Sequence, residues 1–189
     1  MSKYFVAVEP PGDQSLRIAT VMRQLGDPSP VPHITVKAPS GLGPELAWLP
    51  AVREVAARSE RFIVTIREAR TFSNRILYLA VQSANLAQLH QIILETVAPS
   101  PELVTKYSEE RQYIPHLTLA ISHIEYGLPP YQTLVSNLRR LDPFEAFELT
   151  IFKREDASTR YRTWQRLPLA LSHKFSPNSN QRPSGRKHS

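Results

Sequence analysis

The chain contains no cysteine. That excludes a disulfide framework, a thiolate zinc site, an iron–sulfur cluster and a cysteine nucleophile together. It also lacks any apolar run near the ~18–20 residues that span a bilayer. The N-terminal stretch MSKYFVAVEPPGD has no signal-peptide apolar core, so a cytoplasmic protein without membrane association is expected. Also missing are a G-x-S-x-G elbow, a P-loop and a G-x-G-x-x-G turn, which argues against serine acyl transfer, P-loop phosphoryl transfer and dinucleotide binding. The acids, Glu45 and Asp142 among them, show no pairing suited to glycosidase chemistry.

What is present is the makeup of an ordinary globular protein: 189 residues, 41% hydrophobic and 21% charged. This length fits one domain or two small lobes. The net charge is +6, but residues 172–189 carry four cations (Lys174, Arg182, Arg186, Lys187) and no acid. With Phe175 its only large apolar side chain, this Ser/Pro/Asn/Arg-rich segment is expected to be a disordered basic tail after a folded domain over 1–171. Such a tail adds weak, salt-sensitive attraction to RNA, or is a solvated terminus with no role.

Proline is abundant, 17 residues, and its clusters punctuate the chain. The segments between them predict strands at 3–9, 33–37, 61–69, 75–82, 116–121, 146–153 and 161–169. Helices are predicted from an Asp13 N-cap through Leu25, over 44–59, 85–97 and 130–141. This mixture specifies an α+β domain. The pattern also repeats. Tyr4-Phe5-Val6-Ala7-Val8 matches Leu77-Tyr78-Leu79-Ala80-Val81 at an offset of 73, and each is followed by a helix and a Pro-His-Ile/Leu-Thr strand. The second half is longer by about ten residues, placed around 99–112. Two matching strand–helix–strand halves predict two lobes related by a pseudo-two-fold axis, with the Pro-His-x-Thr strands facing one another.

Each half supplies one His-x-Thr, His33-Ile34-Thr35 and His116-Leu117-Thr118. On a strand, His and Thr share one face while Ile34, Val36, Leu117 and Leu119 point to the other. The apolar face suits the helices, which leaves the polar face for a water-filled cleft. Two histidines with two hydroxyls suit concerted acid–base attack at phosphorus. One neutral imidazole takes a proton, one imidazolium gives one to the departing oxygen, and the hydroxyls donate to the phosphoryl oxygens.

These paired motifs, HITVK and HLTLA on duplicated lobes, resemble the two-histidine (2H) phosphoesterase superfamily, which includes the 2′-5′ RNA ligases. The resemblance spans residues 3–169. It implies a bilobal fold with antiparallel sheets lining a central cleft and helices outside. It further implies a cyclic phosphodiesterase that opens a 2′,3′-cyclic phosphate, on an RNA 3′ terminus or a small nucleotide, with no metal or other cofactor. His33, Thr35, His116 and Thr118 would be catalytic, His33 as acid and His116 as base. A monomer is expected. Many RNA-directed relatives carry a basic residue shortly after the second motif, where this chain has Ala120-Ile121.

Two further residues are expected to bind substrate: Lys37, which by strand parity shares the His33 face, and Tyr113, just before the second motif, as a stacking ring. Tyr78 and Phe72 are further stacking candidates, and each of the three rings is equally a core residue by its sequence. The charged stretch Thr105 to Gln112 reads as a lid, a specificity loop or a solvated connection. His90, mid-helix, is expected at the surface with no role, and His123 off the cleft face. Neither motif histidine stands in an H-x-E or H-x₃-H spacing that would favour a metal site. Two other readings share the residues: 2′-5′ ligation by the reverse reaction, and a module that holds an RNA end without turnover.

Overall fold

Alternating apolar side chains on short β-branched segments build the sheet, and the prolines set its corners. The computed structural model describes residues 1–27, 31–73, 75–109, 113–121, 131–138, 140–155 and 160–171. Within them the elements run β1 (Lys3–Val8), α1 (Gly12–Gln24), β2 (Ile34–Lys37), α2 (Leu49–Arg58), β3 (Phe62–Phe72), β4 (Ile76–Gln82) and α3 (Ala84–Val97). There follow α4 (Pro101–Lys106), β5 (His116–Ile121), α5 (Gln132–Ser136), β6 (Phe144–Ala146), β7 (Glu148–Arg154) and β8 (Arg162–Pro168). The predicted tail at 172–189, and His123, lie outside the described residues.

The strands form one eight-stranded sheet in the order β6-β3-β4-β5-β2-β1-β7-β8. Its two four-stranded halves are the expected lobes, and the motif strands β5 and β2 meet at the centre. That seam has a single registered pair, Ile34 opposite Leu117. The helices cross it: α1 packs on β5, and α3 packs on β2. The main core, including Val6, Ile18, Ile34, Val36, Leu79, Ile93, Leu117 and Leu119, fills the layer between sheet and helices. On the opposite face a small aromatic cluster of Phe5, Ala7 and Phe152 packs with Tyr161.

The halves are equivalent in structure with one slip relative to the sequence match. Ala7 stands opposite Thr35, and Tyr78 opposite Thr118. The structural equivalence therefore falls two residues away from the 73-residue offset. A slip of two keeps every side chain on its own face, so the sequence likeness and the register are both tolerated. Each half also places a register shift at the matching point, Val6/Ala7 and Leu77/Tyr78.

Several element boundaries differ from expectation. Pro11, not Asp13, is the N-cap of α1; Asp13 sits in the first turn, where a carboxylate complements the helix dipole. Helix α2 starts at Leu49 because Leu46 takes a φ of 61°, which a helix does not accept, and Pro50 fits only the first turn. Helix α4 is an addition to the expected elements. Ser100 as N-cap, Pro101 in the first turn and Glu102 behind it are the signal that marks it. The helix expected over 130–141 is confined to α5, and residues 122–130 and 139 lie outside the described residues.

Candidate active site

The two motif histidines are held alike. His33 Nδ1 lies 2.7 Å from the Val31 carbonyl oxygen, and His116 Nδ1 lies 2.8 Å from that of Ile114. A carbonyl only accepts, so in each ring Nδ1 carries the hydrogen and donates. The lone pair of the neutral ring is then at Nε2, the nitrogen available for proton transfer. The prolines at 32 and 115 fix the backbone between each carbonyl and its histidine.

Each imidazole also rests on a stacked aromatic pair. His33 lies 4.9 Å from Phe5 and 5.4 Å from Phe152, whose rings stack at 4.7 Å. His116 lies 5.2 Å from Phe72 and 5.5 Å from Tyr78, whose rings stack at 4.0 Å. Burial against this apolar surface pushes the His33 pKa below its ordinary value. The Val31 hydrogen bond and Glu9 pull it back up, and the charge of His116 pushes it further down. Glu9 is itself held by Thr150 Oγ1 at 2.6 Å and Arg166 at 3.1 Å. Ile34 and Leu117, the residues that follow the two histidines, are paired across the seam.

Thr35 and Thr118 keep the exposure expected of cleft-facing positions, half-buried between fully buried neighbours. A cavity of about 400 Å³ on the His116 side is lined by Thr35, Phe72, His90, Tyr107, Tyr113 and His116, among others. A second, of about 790 Å³, holds His33, Thr35, Thr118 and Ile121. Thr35 lines both. Ile121 presents an apolar side chain in the second cavity and is 72% exposed. The cation of the aromatic cluster is Arg154, 5.0 Å over the Tyr161 ring, which meets Phe5 edge-on at 4.7 Å. Among the described residues no group of three or more His, Cys, Asp or Glu side chains is arranged to hold a metal ion.

Lys37 is not in the cleft. Its ammonium is buried and bonded to Ala38 O, Ser40 O, Ser40 Oγ and both carboxylate oxygens of Glu109, at 2.6 to 3.0 Å. Burial lowers its pKa, and Glu109 opposes that shift. With its three hydrogens engaged, it has none to offer a phosphate. Strand parity fails at this residue because the register shift of β2 against β1 inserts Val36 between the Ala7–Thr35 and Val6–Lys37 pairs, which turns Lys37 to the face of core residue Val6.

Tyr113 lines the His116 cavity, but its hydroxyl donates to the Thr35 carbonyl at 2.7 Å, and burial pushes its phenol pKa up. Its ring stacks flat on His90 at 4.3 Å. His90 is buried, not at the surface, and its Nδ1 donates to the Val36 carbonyl at 2.7 Å. The reason is legible in the helix: Leu86, Leu89, His90 and Ile93 form one stripe at i, i+3, i+4 and i+7, all facing inward. Beyond the single seam pair β2 and β5 share no register, and the carbonyls of Thr35 and Val36 are capped by Tyr113 and His90. Those two side chains thus hold the first motif strand where the sheet opens.

No curated protein sequence matches this chain. The crystal structure of TT0787 from Thermus thermophilus superposes with a TM-score of 0.66 at 17% identity, over 90% of this chain and 100% of that one. Escherichia coli LigT complexed with NADP+ gives 0.59 at 19% identity, over 90% and 99%. LigT complexed with 3′-AMP gives 0.58 at 19%, over 90% and 99%. These likenesses carry the fold. The profile of the 2′-5′ RNA ligase superfamily matches residues 10–158, a span that takes in both His-x-Thr strands and the helices crossed over them. The chain belongs to the 2′-5′ RNA ligase superfamily of two-histidine phosphoesterases.

Proposed function

We propose that the cleft opens a 2′,3′-cyclic phosphate, at an RNA 3′ terminus or on a small nucleotide, by metal-independent acid–base catalysis. The observation that carries this reading is the matched anchoring of both Nδ1 atoms, which leaves both Nε2 atoms for proton transfer. One neutral imidazole removes a proton from water as the water oxygen bonds to phosphorus. The phosphorus–ribose oxygen bond breaks, and the other imidazole, as imidazolium, protonates that oxygen. The product is a phosphomonoester, and proton exchange with solvent resets the pair. Thr35 and Thr118 hold the non-bridging oxygens.

The resemblance assigns His33 as acid and His116 as base. Burial that lowers the His33 pKa favours the reverse sense, His33 as base. Solved structures of LigT with 3′-AMP and with phosphate are consistent with a nucleotide-sized occupant for a cleft of this fold. On this reading the protein acts as a monomer in the cytoplasm. Among the described residues no helix is long and apolar enough to cross a membrane.

The test is turnover of 2′,3′-cyclic nucleotides and of a short RNA ending in a 2′,3′-cyclic phosphate, in excess EDTA. Chelator-resistant opening by the wild type, lost in His33→Ala and in His116→Ala, supports the reading. No opening of either substrate overturns it in favour of an RNA-end-binding module. Joining of RNA ends without hydrolysis would assign the ligase direction.

A further inference from the structure

The ion pair between Lys37 and Glu109 takes no part in the proton transfers, yet its side chains are only 0 and 4% exposed. Besides Lys37, Glu109 accepts from Ala38 N at 3.0 Å and from Ser40 Oγ. Both partners lead to the site. Lys37 ends β2 two residues after Thr35, and Glu109 directly follows Tyr107 and Ser108, which line the His116 cavity. Ser108 has a φ of 56°, a left-handed conformation costly for serine, which persists only where the surroundings over-determine it. Here the Ser108 and Glu109 amides donate to Thr105 O and Val104 O at 3.0 and 2.9 Å, and the buried carboxylate fixes the end. This turn is part of the extra length that distinguishes the second half from the first.

The cavity it walls has a definite chemistry. Rings from Phe72, His90, Tyr107 and Tyr113 and the apolar Ile76 and Ile114 line it. Among the described residues no lysine or arginine does, and its one acid, Glu109, is consumed by Lys37. Such a wall suits a flat, uncharged ring.

We propose that Lys37 and Glu109 form a clasp that fixes the Tyr107–Ser108 turn as the specificity-determining wall of the His116 cavity, selecting substrates that carry a nucleobase beside the cyclic phosphate. This rests on the phosphoesterase reading of the same site. Lys37 and Glu109 are positioning residues; Tyr107 is the group that meets the base.

The experiment compares a nucleoside 2′,3′-cyclic phosphate with 1-O-methylribose 2,3-cyclic phosphate, which lacks the base. The proteins are the wild type, Tyr107→Ala and the double variant Lys37→Met/Glu109→Leu, each checked by a thermal melt. The wild type should prefer the base-bearing substrate in kcat/KM. Tyr107→Ala should cut that preference about tenfold, the size of one lost stack, and the folded double variant should cut it comparably. A wild type indifferent to the base, or a folded double variant with the wild-type ratio, overturns the proposal. If the double variant does not fold, the Tyr107→Ala ratio decides. Calorimetric binding of a nucleoside 2′-monophosphate against methylribose 2-phosphate reads the same wall without turnover. A wild type that opens neither cyclic substrate but still binds the nucleotide about tenfold more tightly than the sugar phosphate, a gap closed in Tyr107→Ala, would sink the catalytic reading and leave the wall standing. Equal binding of both would sink the wall.

Discussion

His33 and His116 are mirror images in their anchoring, each with Nδ1 donating to the carbonyl of the residue two positions upstream, at 2.7 and 2.8 Å. They differ in surroundings: His33 is pressed by burial below the ordinary imidazole value of 6.5. The duplicated backbone supplies two equivalently anchored rings, and burial lowers the pKa of His33.

The lowered His33 pKa sets a pH signature for the proposed reaction. The charged groups acting on His33 are Glu9, which raises its pKa, and His116, which lowers it, with burial dominant. A base must be neutral, so with His33 as base the acid limb of kcat/KM follows the lowered His33 pKa, and activity is lost as pH falls through it. With His33 as acid the sign reverses: activity is greatest in acid and fades as pH rises through that same value. A kcat/KM profile from about pH 4 to 9 brackets the imidazole range and reads the difference directly.

Removing either imidazole should cost about 10²–10⁴-fold in turnover, and removing both little more, because the two act as a unit. Thr35→Val and Thr118→Val should each cost up to about 100-fold in kcat while circular dichroism stays that of the wild type. Single-turnover kinetics would expose the chemical step. Full activity in either histidine variant would refute the assignment.

The Lys37–Glu109 pair predicts a non-additive stability pattern. Lys37→Met alone strands a buried carboxylate and should cost about 3–5 kcal/mol. Lys37→Met/Glu109→Leu leaves no lone charge and should recover most of that loss. Urea denaturation of the two single variants and the double variant gives the coupling. Additive losses would mean that the pair is not the buried contact described here.

Tyr113 tests strand support against ligand contact. Tyr113→Phe keeps the ring on His90 and the cavity wall but releases the Thr35 carbonyl. It should cost about 1 kcal/mol of stability and lower kcat with little change in KM, since Thr35 is what moves. A rise in KM alone would instead identify the hydroxyl as a substrate contact.

Much of this is readable from residue order. The alternation in His33-Ile34-Thr35 and His116-Leu117-Thr118 is the burial alternation of β2 and β5, because period-two patterning is what a half-covered strand obeys. Lys37 escapes the same rule because the register shift between the Thr35 and Lys37 pairs breaks the alternation within β2. The partner that buries Lys37 is 72 residues away, a distance no local pattern spans. His90 looks solvated among its polar neighbours, although its place in the Leu86-Leu89-Ile93 stripe foretells burial. The aromatic pairs beneath the histidines arise from register across β1–β7 and β3–β4, which emerges only when the strands pair.

The crossing of α1 over β5 and of α3 over β2 means that neither half owns the cover of its own catalytic strand. Cut between the repeats, each fragment would present a bare strand and an unpacked helix and would bury them only by finding its counterpart. The two halves are therefore one folding unit, each covering the motif strand of the other. The seam between β2 and β5, where Ile34 meets Leu117, is thus held from both sides, and loosening either helix would loosen the histidine strand of the opposite half.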